Sequence, residues 1–450
     1  MTFALFILYV VLSYMHPGEI VPALAPYRVA YWVGMSGLAV AIAGALARAG
    51  RTLASVQLRA LVAFAIVTAA SLIVADRWLG APLIVLQRFG PSLAIFVLAV
   101  ASITSLERLR VAVGCIVAVM VLLMVQGAAA YHFGYNASVF LIDRTTRGDD
   151  PMVKADEPLA DVVNQPDDDL TDEAEDTPRI RGLGLMHDPN DLAMGMIAAL
   201  GLIGGAWRAR AQLRHVVYAG MAAALVYGVY LTRSRGGALA LVVVFWRFAA
   251  SRFGRVPAVV VLVALCAGAM AVDFGGRSLS MEPDESASGR LLAWREGLEM
   301  LKSAPMLGVG YGQFEDHHNL TAHNSLVLCF AETGLLGCFF WVAIIVVTMI
   351  ELQQVKSLPG DDGFDDTAKR WAEGLELSLV GLLTAAFFLS RTFVPTLYLV
   401  VGLAAALAAI VRAADRPLPL PALPTLGLVV LASEAGGIAF VYAIVKLHLA

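Results

Sequence analysis

His323 stands in the run Thr321-Ala322-His323-Asn324-Ser325, at the head of a long apolar block. An imidazole titrates near neutral pH, so at such a boundary it can take a proton from a sugar hydroxyl, and no other residue in the chain suits general-base work as well. Five arginines, Arg181, Arg233, Arg235, Arg290 and Arg391, stand near the ends of apolar blocks or in the polar runs between them. A guanidinium grips phosphate oxygens in a bidentate, permanently charged way, and the contact strengthens at the edge of a low-dielectric phase. Any one of these arginines could be a helix-end side chain reaching for lipid headgroups. As a set beside an imidazole they point to an anion, and a lipid diphosphate suits that depth.

The stretch Arg181-Gly182-Leu183-Gly184-Leu185-Met186-His187-Asp188-Pro189-Asn190-Asp191-Leu192 has a mechanical reading. Asp188 or Asn190 can cap a helix whose first turn holds Pro189, which turns free N–H groups outward and adds to a positive field. Cap chemistry alone accounts for that pattern, so it gains force only beside its companions. Glu332 lies about two and a half turns beyond His323 on one helix. A carboxylate that deep is expected to be paired, with one of the arginines as its partner. His317 and His318 are not spaced to share a face with His323, which argues against a zinc site. Cys115, Cys266, Cys329 and Cys338 lie inside apolar blocks and read as small hydrophobes. On one straight helix Cys329 and Cys338 would stand about 13 Å apart, beyond disulfide reach.

The elements that must position these groups follow from composition. Of 450 residues 59% are hydrophobic and only 15% charged, and the mean hydropathy is +0.75. That excludes a water-soluble domain of this size and makes the bilayer its solvent. The apolar blocks run to about 17–25 residues, the length of a membrane-spanning helix and too long for barrel strands. The fold class is therefore all-α, a polytopic transmembrane helical bundle. Candidate spans are 3–15, 28–48, 59–76, 82–102, 109–129, 190–207, 212–232, 236–250, 256–273, 323–350, 373–392, 394–413 and 422–446. If the first or last block does not cross, thirteen becomes twelve. The first block, Phe3 to Met15, has no preceding Lys or Arg and is expected to be a retained helix rather than a cleaved signal.

Alternate loops carry basic clusters: Arg48, Arg51 and Arg59; Arg108 and Arg110; Arg208, Arg210 and Arg214; Arg247, Arg252 and Arg255; Lys356, Lys369 and Arg370; Arg412 and Arg416. By the positive-inside rule these loops are cytoplasmic and the five arginines named first are external. The chain then divides into membrane helices over 1–129, an external acidic loop over 130–189, membrane helices over 190–273, an external loop over 274–322 and membrane helices over 323–450. The first loop holds a solvated acidic stretch from Asp149 to Asp176, whose Asp167, Asp168 and Asp169 have nothing apolar nearby to organise a metal site. In the second, Leu291, Trp294, Leu298 and Leu301 recur at helical spacing, so an amphipathic helix is expected on the membrane surface or over a cavity. Pro305 ends it, and Gly308, Gly310 and Gly312 make a pliable turn.

These residues resemble the O-antigen ligase and O-antigen polymerase superfamily. The matching features are Arg181 through Asn190, which resembles an Arg-x-x-Gly followed by Pro-Asn; Ser234-Arg235-Gly236; Arg290-x-x-x-Trp294; Pro305-x-x-Gly308-x-Gly310 with Phe314; Ala322-His323-Asn324; and Glu332-x-Gly334-x-x-Gly337. They occupy about the middle third of the chain in the family's order. The resemblance implies a GT-C-like helical fold in a bacterial inner membrane, with a long external loop before a late helix. It implies metal-independent transfer of glycan from undecaprenyl diphosphate to an acceptor hydroxyl on the periplasmic side, with no cofactor. Arg290 and Arg235 would hold the diphosphate with Arg181, Arg233 and Arg391 assisting, and His323 would activate the acceptor. Glu332, Asn190, Asn324 and Trp294 would support them. Implied partners are the undecaprenyl-diphosphate-linked glycan, a glycan or lipid A-core acceptor of lipopolysaccharide assembly, and membrane lipids, with no nucleic acid. A ligase and a repeat-unit polymerase share these motifs. A lipid-linked glycan transporter or flippase is the reading from another class, with Arg88, Glu332 and Glu434 as its midplane candidates.

Overall fold

The computed structural model describes residues 1–47, 55–142, 178–207, 212–271, 285–360 and 362–449. The acidic stretch from Asp149 to Asp176, and Arg48, Arg51, Arg208 and Arg210, lie outside the described residues. In chain order the helices are α1 (Thr2–Met15), α2 (Pro17–Ile20), α3 (Val29–Ala47), α4 (Val56–Asp76), α5 (Ala81–Ser102), α6 (Leu106–Phe133), α7 (Ala137–Phe140), α8 (Pro189–Ala206) and α9 (Gln212–Leu231). They continue as α10 (Arg235–Phe253), α11 (Arg255–Ala271), α12 (Glu285–Ser303), α13 (Phe314–His317), α14 (Ser325–Lys356), α15 (Gly363–Ala386), α16 (Pro395–Ala413) and α17 (Leu423–Leu449). Among the described residues the strands are β1 (Leu141–Ile142) and β2 (Arg179–Ile180), paired antiparallel with Leu141 opposite Ile180.

Each of the thirteen apolar blocks is thus a helix, and the molecule is an all-α polytopic bundle. Among the described residues eight helices are long and apolar enough to cross a membrane: α1 run on through α2, α4, α5, α6, α10, α14, α16 and α17. The others fall short for local reasons. α9 and α11 have shorter apolar stretches, and α15 opens with the charged turns Asp365, Asp366, Lys369 and Arg370.

At the centre α8 is buried along nearly its whole length and lies against α15. Gly201 and Gly205 meet Gly374 and Ser378 so closely that a Cβ at either glycine would collide. The Ser378 hydroxyl donates to the Ala198 carbonyl at 2.7 Å. Small residues and such hydrogen bonds hold helices together where lipid offers no hydrophobic gain.

The charges separate by end. At one end Arg247 meets Glu376 at 2.8 Å, Arg252 meets Glu373 at 3.1 Å, Arg412 meets Glu351 at 2.5 Å and Arg416 meets Asp365 at 3.2 Å. These are basic residues of the clusters expected to be cytoplasmic. The N-termini of α8, α10, α14 and α16 lie at the other end.

α14 is broken. Gly334 has φ 65° and ψ −170°, a conformation that costs a Cβ-bearing residue energy. The break frees backbone groups, and the segment after α12 satisfies them: Val309 N–H donates to Ala331 O at 2.9 Å and Gly310 N–H to Glu332 O at 3.2 Å, while Leu335 N–H donates to Pro305 O at 2.8 Å. Gly308 packs so tightly against Glu332 that a Cβ would strike the backbone. The Pro-x-x-Gly-x-Gly and Glu-x-Gly motifs are therefore the two halves of one joint, a strap seated in a broken helix. α12 is the helix expected on the membrane surface or over a cavity; it packs along α14, with Gly297 against Val327, and its C-terminal end is tied to the break. Cys329 and Cys338, on either side of Gly334, are free, buried thiols. They interact with each other instead of standing a straight helix's length apart.

Candidate active site

The turn from Phe387 to Val394, between α15 and α16, carries Arg391 and is hydrogen-bonded to the run that carries His323. Ser325, the first residue of α14, donates from its hydroxyl to Leu389 O at 2.6 Å and accepts from Arg391 N–H at 2.8 Å. The Thr392 hydroxyl donates to Ser325 O at 2.6 Å, and the Thr321 hydroxyl to Ser390 Oγ at 2.9 Å. These bonds lock the turn to the run that carries His323. That histidine is 2% exposed with φ 47°, directly before Asn324, whose side-chain oxygen Oδ1 caps α14 by accepting from Leu326 N–H at 2.9 Å and Val327 N–H at 3.1 Å. The cap turns the backbone so that the imidazole precedes the helix instead of joining it.

Arg391 is 3% exposed. Its Nε donates to Asp191 Oδ1 at 2.5 Å and its Nη2 lies 3.6 Å from Asp188 Oδ1. Asp188 also caps α8, accepting from Asn190 N–H at 2.6 Å. Two carboxylates of the α8 N-terminus thus hold the guanidinium of Arg391, which the sequence suggests for the diphosphate. Asn190 follows the cap in the first turn, as its motif implied.

Arg181 lies at the end of β2, its N–H donating to Phe140 O at 2.9 Å. Its Nε donates to Val139 O at 3.0 Å, its Nη2 to Ser138 O at 3.3 Å and its Nη1 to His187 Nε2 at 2.9 Å. Ser234 caps α10, accepting from Gly237 N–H at 3.1 Å, which sets Arg235 in the first turn. Gly236 lies beside Phe388 and Gly237 beside Ala193, so this helix start adjoins both the turn and α8. Arg233 sits over the Tyr230 ring at 4.9 Å. Arg290 lies near the start of α12, one turn before Trp294, whose ring meets Phe387 edge-on at 5.4 Å. The helices bearing Arg235 and Arg290, the run bearing His323 and the α8 cap therefore all abut one turn.

Glu332 has an arginine acting on it, Arg88, which is not one of the five expected at the site. It is 3% exposed and accepts from Phe314 N–H at 3.4 Å, so it clamps the strap's exit by backbone hydrogen bonding. His317 Nδ1 bonds Gln313 O and His318 Nδ1 bonds Leu320 O, each at 3.0 Å, which occupies both in shaping the loop. Tyr311, on the strap, stacks edge-on against Phe393 at 4.6 Å. Burial pushes its phenol well above the ordinary tyrosine range, so it stays protonated and is no rival to His323 as a base.

Sequence reasoning missed Glu19 and His187. Glu19 Oε1 accepts from Gly184 N–H at 2.8 Å and lies 2.7 Å from His16 Nδ1, while Oε2 is 3.5 Å from His187 Nδ1. The polar run His16-Pro17-Gly18-Glu19 after the first apolar block was the available signal. Ser325 and Thr392 were also passed over, being small hydroxyl residues whose value depends on partners remote in sequence.

Residues 219–342 match the model of a family described as O-antigen ligase. That stretch includes Arg233, Arg235, Arg290, Trp294, His323, Asn324 and Glu332, while Arg181, Asn190 and Arg391 lie outside it. No curated protein matches the chain. The chain is thus a multi-pass helical membrane protein, similar over residues 219–342 to the O-antigen ligase family, and the resemblance carried by its ordered motifs is borne out.

Proposed function

We propose that this protein transfers glycan from undecaprenyl diphosphate to an acceptor hydroxyl on the periplasmic face of a bacterial inner membrane, acting as an O-antigen ligase with no metal. The observation that supports this reading best is the seating of His323 and the arginine-bearing helix starts around the 387–394 turn. His323 takes the proton of the acceptor hydroxyl as that oxygen bonds to the anomeric carbon. The bond from that carbon to the phosphate oxygen breaks, and undecaprenyl diphosphate leaves with its electron pair. Arg290 and Arg235, with Arg181 and Arg233, hold the charge on the departing diphosphate, which a preorganised cationic site stabilises more than water can. Arg391 serves the site from behind, joining the starts of α8 and α14.

The acceptor decides between two members of the same chemistry. Purified protein in vesicles, given undecaprenyl-diphosphate-linked repeat units with and without lipid A-core acceptor, separates them. Product that forms only with the acceptor supports a ligase. Chain growth without it identifies a repeat-unit polymerase, and ion-gradient-driven movement of the lipid without any transfer would replace both by a transporter.

A further inference from the structure

Arg181 is held by a relay that begins on α2. Arginine has only donors and keeps its charge. His187 Nε2, 2.9 Å from Arg181 Nη1, must therefore present its lone pair, which places the imidazole proton on Nδ1. That nitrogen faces Glu19 Oε2 at 3.5 Å. A carboxylate behind an imidazole favours this tautomer, because it accepts a hydrogen bond and cannot donate one while ionised. Glu19 is itself fixed by Gly184 N–H and His16. The 182–187 turn is seated on the α1–α2 corner so closely that a Cβ on Gly184 would strike Ser13 O and His16 Cβ.

We propose that Glu19 and His187 are positioning residues, the carboxylate setting the imidazole tautomer that aims the Arg181 guanidinium at an anionic phosphate ligand. The inference rests on the reading of Arg181 as a diphosphate contact. Glu19 touches no substrate in this scheme; it acts through His187. Among the described residues, the charged and titratable groups around His187 include Glu19 and His16 from the α1–α2 corner, Arg181 from the end of β2, and Asp188 beside it in the chain.

A double-mutant cycle separates tautomer control from plain support of the turn. In Glu19→Gln the amide oxygen can still accept from Gly184 N–H, but its N–H₂ can donate to His187 Nδ1 and drive the proton to Nε2, against Arg181. In His187→Gln an amide oxygen replaces Nε2 as acceptor, and there is no tautomer to set. The measurement is the affinity of the full-length protein in lipid nanodiscs for undecaprenyl diphosphate. Glu19→Gln is expected to weaken binding about tenfold, equivalent to about 1.4 kcal/mol, but less than twofold when added to His187→Gln. Equal losses in both backgrounds would overturn the proposal in favour of mere support. Failure of the unmutated protein to bind undecaprenyl diphosphate would instead sink the reading of the site. Independently of binding, ¹⁵N-histidine spectra should show His187 protonated on Nδ1 in the unmutated protein, and a proton on Nε2 would refute the relay.

Discussion

His323 and Arg290 carry opposite halves of the proposed chemistry, and their replacements should fail in the same assay without unfolding the protein. His323→Ala removes the proton acceptor and is expected to lower glycan transfer by about 10²–10⁴-fold, measured as product from lipid-linked donor, with membrane insertion retained. Arg290→Ala removes charge stabilisation of the leaving group, with an expected loss of about 10²–10³-fold. A rate within twofold of the unmutated protein in either variant would remove that residue from the mechanism. Asp191 is different in kind. Its partnership with Arg391, 2.5 Å apart and almost wholly buried, predicts that Asp191→Ala lowers stability by roughly 3 kcal/mol by stranding a charge, read by thermal unfolding in detergent. Which single residues stand out was legible in the chain: histidine and arginine are costly at apolar boundaries, so their presence there is informative. Their mates were not. Asp191 passes for a first-turn acid, and Glu19 lies on a separate helix far earlier in sequence, so neither announces its partner.

Helices were legible as elements, and the joint between α12 and α14 was not. Hydropathy marks 323–350 as one long apolar run, and nothing local in it demands a break; the groups that satisfy the break come from Pro305 to Gly310. The glycines of the strap read as a flexible turn, whereas two of the joint's glycines serve close backbone approach: Gly308 against Glu332, and Gly334 against Met306 and Leu307. Gly334→Ala should therefore both strain a positive φ and force the strap outward, destabilising by about 1–3 kcal/mol. Transfer should fall with it, because α12 carries Arg290 and hangs from that joint. Unchanged melting and activity in Gly334→Ala would show that the strap does not set the position of α12. The amphipathic pattern of Leu291, Trp294, Leu298 and Leu301 gave the helix correctly, but an apolar stripe fits a lipid surface and a neighbouring helix equally well.

Across the molecule the charge distribution divides structure from proposed function. Basic residues of the clusters expected to be cytoplasmic are paired where α10, α14 and α16 end, and the candidate arginines and His323 lie on the elements at the opposite end, where Arg391 is itself paired with Asp191. The bilayer makes this division legible from sequence, since apolar block length and basic loop bias are read directly off residues. Arg252, paired with Glu373 at 3.1 Å at the far end and partly exposed, should tolerate Ala with less than a twofold change in transfer, as surface pairs contribute little. The choice of acceptor is not written in the helix pattern, because in the proposed chemistry a ligase and a polymerase share one grip on a diphosphate and one base. What both require is a diphosphate seated beside His323. A cryo-EM structure of the protein in nanodiscs with undecaprenyl diphosphate tests that most directly. Phosphate oxygens within hydrogen-bond reach of Arg290 and Arg235, on the His323 side of the 387–394 turn, are the predicted result; density for the diphosphate at the opposite end, beside Arg247 and Arg412, would contradict it.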